Sequence, residues 1–220
     1  MGNEEKKAGK SSDNYETLKT LYYSGKVKPS LNKMLAYLKE NPKDVNVTLL
    51  ACKCLERSKN YNDLSDFADT VIELAPENGD GYYYKGVALS HIKGKEQDVI
   101  SNFNKALEIS PENLSYLKSK GATHYSLFTD YHLPIKFAEK HRIKAEESLL
   151  KVTQLIETKE NPDYIEYFTT AEVNVLLEQN IAAKKHLLRA VNAFEATEKS
   201  DQDMNIYKEI IKVQKAVQKN

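Results

Sequence analysis

Tryptophan is absent from this 220-residue sequence, glycine occurs eight times, proline six times and cysteine twice. Scarce glycine and proline exclude a chain built mainly of turns and loops, and the composition reads as helical. The two cysteines, Cys52 and Cys54, exclude a disulfide scaffold. Two residues apart on a predicted helix, they point to different faces and cannot bridge each other. With no further Cys or nearby His they are also a poor metal site, so both are read as small buried or half-buried thiols. No run of about 18 apolar residues occurs, which excludes a membrane-spanning helix. Neither sign of charge is in excess: Lys plus Arg and Asp plus Glu stand at 32 each. No net field therefore draws the chain to nucleic acid or to an anionic membrane.

Chemistry-bearing motifs are missing as well. There is no glycine-rich phosphate loop, no nucleophile elbow and no adjacent acid pair in an apolar setting. Of the five histidines (His91, His124, His132, His141 and His186), His132 and His141 are read as the near pair, around the irregular segment beside Tyr131. No H-E-x-x-H or Cys/His spacing supports a metal there. Runs such as Lys140–Arg142 and Glu146-Glu147 read as solvated helix faces. The expectation is a non-enzyme without catalytic residues, metal or cofactor. Residues 1–14 are charged and lack an apolar core, so no signal peptide is visible, and Lys6 stands where a myristoylation motif needs Ser or Thr. As it stands the sequence predicts a cytoplasmic protein; an envelope or periplasmic one follows if Met1 and Gly2 replace a removed leader.

What is present is punctuation. Pro42, Pro76 and Pro111 each close an apolar-periodic stretch, 34 and 35 residues apart. Regular spacing on this scale signals stacked repeats. Between Pro76 and Pro111 stand Tyr82, Lys85-Gly86, Leu89, Gly94, Val99, Phe103, Ala106-Leu107 and Pro111. Residues 45–78 follow without gaps: Ala51-Cys52, Leu55, Tyr61, Leu64, Ala68, Val71 and Pro76. Residues 11–44 keep the register more weakly through Leu18, Leu21, Gly25, Met34, Tyr37-Leu38 and Pro42. Small residues such as Gly86 and Ala106 allow two helices to approach, large ones such as Phe103 and Leu89 fill the gap to the next pair, and Gly94 suits a positive-φ turn.

These residues resemble the tetratricopeptide repeat (TPR) pattern over about residues 11–198. Lys85, Leu89 and Val99 depart from it, and one residue is inserted before Gly94. The resemblance implies an all-α, right-handed α-solenoid of helix-turn-helix repeats with a C-terminal capping helix. The expected division is a disordered segment at 1–10, units at 11–44, 45–78 and 79–113, an extended unit at 114–161, a divergent one at 162–198, and the cap at 199–220. In the fourth unit Leu117 and Gly121-Ala122 mark the first helix. Residues 127–133 interrupt, and Pro134 opens a long helix whose inward stripe is Ile135, Ala138, Ala145, Leu149, Val152 and Ile156. In the fifth, Ala183, Leu187, Ala190 and Val191 face inward. On the last helix Met204, Tyr207, Ile210 or Ile211, and Val217 share a face.

The resemblance also implies that peptides or protein segments bind the concave face, lined by the first helix of each pair. Carried over residue by residue, that face holds Tyr15, Lys19, Tyr22 and Tyr23, then Asn46, Leu49, Leu50, Lys53 and Arg57. The third unit adds Tyr83, Tyr84, Val87 and His91, and the fourth Lys118, Ser119, Ala122, Tyr125 and Ser126. Tyrosine stands out, with 14 in the chain against six Phe. It offers contact area, a hydroxyl and little rotamer entropy to lose, although the family also packs with tyrosine. The carboxylate clamp by which some TPR proteins hold heat-shock protein tails is missing. Its places hold Tyr15, Lys19, Leu50, Asp80 and Tyr84, or one unit later Leu49, Lys53, Tyr84, Ser115 and Ser119. The expected function is a scaffold or assembly factor for a protein or peptide. The alternative is self-assembly through the C-terminal helices, with a second copy as partner.

Overall fold

The computed structural model describes residues 14–130, 132–197 and 202–218. The expected disordered segment at 1–10 lies outside these residues. The described residues form helices and connecting turns, with no strand. Residues 14–23 are α1, followed by α2 (Val27–Glu40), α3 (Val45–Arg57), α4 (Tyr61–Leu74), α5 (Gly79–Leu89) and α6 (Glu96–Ile109). Then come α7 (Leu114–Phe128), α8 (Ile135–Glu157), α9 (Tyr164–Leu176), α10 (Asn180–Ala196) and α11 (Met204–Gln218). From α2 onward each helix packs on its chain neighbours, α1 joins α2 and α3 through the cluster of Leu18, Tyr22, Met34 and Val47, and α3 also touches α5 as α7 touches α9. That pattern, pair stacked on pair with first helices adjoining, is an α-solenoid.

The starts of the first helices are written locally. Behind Pro42, Pro76 and Pro111 stand Asp44, Asn78 and Asn113, whose side chains accept from the backbone N–H of Val47, Asp80 and Ser115. Behind Pro162, Asp163 and Glu166 form a reciprocal capping box. Each cap satisfies otherwise orphaned donors and is worth about 1 kcal/mol. The turns inside the pairs use a left-handed residue: Gly25 (φ 81°), Lys59 (58°), Gly94 (83°) and Glu178 (58°). The fourth pair has no such residue among those described and joins its helices through the longer irregular stretch that ends at Pro134.

Close helix approach follows from the small residues. A Cβ added to Gly86 would lie 2.6 Å from the Phe103 ring, and one added to Gly121 would lie 2.6 Å from Leu149. Cys52 and Cys54 are both fully buried and unbridged. Burial pushes the Cys54 thiol up to about 12, so it is an inert packing group. On α8 the buried positions are Ala145, Ser148, Leu149, Val152 and Ile156. Ile135, expected inward, is 88% exposed. The pairings of Gly121 with Leu149 and of His124 with His141 place the first turn of α8 beyond the end of α7, so Ile135 has no facing helix. Ala183, Leu187 and Ala190 are buried as the stripe on α10 requires, and on α11 it is Ile210, not Ile211, that is fully buried.

Candidate partner-binding groove

The first helices of the pairs line one continuous face, and two cavities lie along it. One, about 750 Å³, is walled by residues of α1, α3, α5, α7, α9 and α11. The other, about 680 Å³, lies between α5 and α7 and reaches Val87, Ser119 and Ala122. Glu56, Tyr83 and Lys118 border both.

The predicted contact residues divide into three groups. Tyr23, Lys53, Arg57, Tyr83, Val87 and Lys118 line these cavities. Tyr22 and Tyr84 stand in the wall but are only 3% and 5% exposed, which corrects their reading as free contact residues. Tyr84 is sunk among Cys52, Leu55, Leu64, Ala68 and Ala88. Tyr83 faces the groove, and Tyr84, about 100° further round the helix, turns into the core. Ser119, Ala122 and Ser126 also line the second cavity, whereas Tyr15, Lys19, Asn46, Leu49, Leu50, His91 and Tyr125 lie off both. Tyr15 and Leu49 pack against core clusters. Lys19 pairs with Glu16 at 3.5 Å. His91 stacks on Tyr61 with centroids 3.5 Å apart, and Tyr125 meets Phe128 edge-on.

The groove wall is held by charge pairs and rings. Tyr83 stacks on Tyr116 at 5.1 Å, and the Tyr116 hydroxyl donates to Asp80 Oδ1 at 2.6 Å. Lys118 Nζ donates to Glu172 Oε2 at 2.6 Å, tying α7 to α9. Arg57 Nε donates to the Tyr22 hydroxyl at 3.0 Å, and its Nη2 lies 4.0 Å from Asp203. Glu56 makes no ion pair with another described residue. Burial raises its carboxyl above the ordinary value, against the pull of Lys118, Arg57 and Lys53.

The C-terminal helix is more than a cap. α11 covers α10 and α9 through Ile210 and Val217, in one cluster with Tyr164, Phe168 and Phe194. Its leading end also crosses to the first repeat. Asn205 Nδ2 donates to the carbonyl oxygen of Tyr22 at 2.9 Å, and the Asp203 N–H donates to the Tyr164 hydroxyl at 2.9 Å. Gly25 sits against Met204 and Lys208. The groove is thereby walled on its open side.

No family model and no curated protein matches the sequence. Solved structures do match. TTC0263, a thermophilic TPR protein of Thermus thermophilus, is 18% identical at a TM-score of 0.62, over 91% of this chain and 98% of that one. The chain has the TPR fold. A MamA protein matches at a TM-score of 0.53 and 16% identity, over 85% of this chain and 93% of that one. Residues 41 to the end of MamA from Desulfovibrio magneticus RS-1 match at 0.52 and 14%, over 86% and 97%.

Three features of the groove lie outside the positions that the repeat resemblance implies. Glu56 was legible, since it shares a helix face with Lys53. Glu172 comes from the divergent fifth unit, and Asp203 with Asn205 from outside the repeats, where no motif marks them. His141 pairs with His124 across α7 and α8, not with His132, their Nδ1 atoms being 2.9 Å apart. Among the described residues no three His, Cys, Asp or Glu side chains converge to hold a metal, and no helix is long and apolar enough to cross a membrane.

Proposed function

We propose that the chain is a non-catalytic scaffold that holds a peptide or protein segment in the concave groove of its TPR array. The observation that carries this reading is the meeting of Glu56, Tyr83 and Lys118 at the junction of the two groove cavities. Such a junction offers an aromatic surface, the Glu56 carboxylate and the Lys118–Glu172 ion pair to a segment lying across both cavities. Glu56 is half-buried without a cation at ion-pair distance, so its carboxylate is incompletely solvated at some cost. A donor group from a bound segment would relieve that cost. Lys53, Arg57, Tyr23 and Val87 extend the contact surface on either side.

The test is a selection of peptides from a displayed library against the folded chain. Binding of the recovered peptides that weakens at least about tenfold in Glu56→Gln/Lys118→Ala supports the reading. Equal binding to the double variant contradicts it.

A second reading, self-association, is favoured by the outer faces of α8 and α10. Ile143 and Leu150 are 55% and 47% exposed there, and Ile181 and Leu188 are 87% and 57% exposed. Exposed apolar ridges of this kind mark association surfaces. Sedimentation as a single monomeric species across concentrations removes this second reading.

A further inference from the structure

A third cavity of about 340 Å³ opens between α6, α7 and α8 and shares no residue with the groove. Its wall carries Lys120 from α7 and Lys144 and Lys151 from α8, against the single acid Glu147. None of the three lysines forms an ion pair with another described residue. Asn104 and Ser148 add polar groups, although the Ser148 hydroxyl already donates to the Lys144 carbonyl oxygen.

His124 closes the cavity. It is 1% exposed, and its Nε2 is buried without a hydrogen-bond partner. Its other nitrogen is engaged with His141 Nδ1 at 2.9 Å. A buried ring nitrogen left unsatisfied is costly, and native structures rarely keep one without a use for it. Burial, His141, Lys144 and Lys120 together hold His124 down to about 4.

We propose that this cavity binds a small oxyanion of the phosphate type, held by Lys120, Lys144 and Lys151 with His124 Nε2 as the buried donor. Three ammonium groups supply the charge complement, and a buried N–H supplies a directed hydrogen bond. Binding also fixes the histidine pair. A neutral pair shares one Nδ1–H, which either ring can donate. An oxyanion selects the arrangement in which His141 donates it and His124 carries its hydrogen on Nε2. The bound negative charge cancels the lysine field and makes His124 easier to protonate.

The experiment follows the imidazole nitrogen resonances of the full chain by NMR while inorganic phosphate is added, against sodium chloride at matched ionic strength. The expected result is a saturable change at His124 whose midpoint rises at least about tenfold in Lys144→Ala/Lys151→Ala. The proposal is overturned if chloride produces the same change, if phosphate produces none, or if the double variant keeps the wild-type midpoint. Both replaced lysines are solvent-exposed, so the variant folds. Two further arms identify the source. Displacement by glycerol phosphate points to a soluble ester, and cosedimentation with phosphatidate-containing vesicles points to a lipid headgroup; each supports the site when the double variant abolishes it.

Discussion

The side-chain amide of Asn205 donates to the carbonyl oxygen of Tyr22, 183 residues earlier, at 2.9 Å. Both residues are buried, so this bond ties the helix after the last repeat to the first repeat. Asn205→Ala leaves the Tyr22 carbonyl without that donor. A loss of about 1–3 kcal/mol is expected in urea unfolding. Amide exchange should accelerate in α1 and at the start of α11 while α5 and α6 stay protected. Uniform acceleration along the chain would show that the two ends are not a distinct contact.

Gly86→Ala should destabilise although alanine is the better helix former. The added methyl meets the buried Phe103 ring at 2.6 Å. Overpacking costs about 1–3 kcal/mol, against a helix-propensity gain of about 1 kcal/mol. Denaturant midpoints should fall for Gly86→Ala and recover in part for Gly86→Ala/Phe103→Leu. A rise in the single variant would show that the α5–α6 spacing is wider than described.

Acid should weaken the α7–α8 pair. The folded chain holds His124 at about 4 against 6.5 when free, and burial likewise lowers His141. The folded state thus binds fewer protons than the unfolded chain in this window. Stability is full above pH 6.5 and falls as pH drops towards 4. In phosphate-free buffer the loss should reach roughly 2–3 kcal/mol. His124→Gln should flatten that slope, which thermal melts across the pH range measure; an unchanged slope would place the proton uptake elsewhere.

Glu56→Gln should leave stability unchanged or raise it by up to about 1 kcal/mol, since it removes a poorly solvated carboxylate. The sign follows from the raised folded-state value. The unfolded chain ionises Glu56 first, so its contribution to stability is lost as pH rises from the ordinary carboxylate range through the folded value. Calorimetry of the variant at neutral pH checks this, and a clear loss of stability would assign Glu56 a structural ion pair instead.

The fold was legible because its signals are local. Pro76 followed by Asn78 stops one helix and caps the next within three residues, and Gly86 facing Phe103 is a contact inside one repeat. The site was legible only where it obeys the repeat. Lys53, Arg57 and Lys118 stand on the groove side of their helices, as register alone requires. Adjacent Tyr83 and Tyr84 needed the true helix rotation, which sends Tyr84 into the core. The wall formed by Asp203 and Asn205 depends on where a five-pair array ends in space. That position sums small rotations from every pair, and no short stretch of sequence carries it.

The most direct test of the groove as the binding surface is chemical-shift mapping of the isotope-labelled chain with a display-selected peptide. A peptide seated in the groove shifts Lys53, Glu56, Tyr83, Val87 and Lys118 most. Shifts confined to the outer faces of α8 and α10, with those five residues unmoved, would contradict binding there.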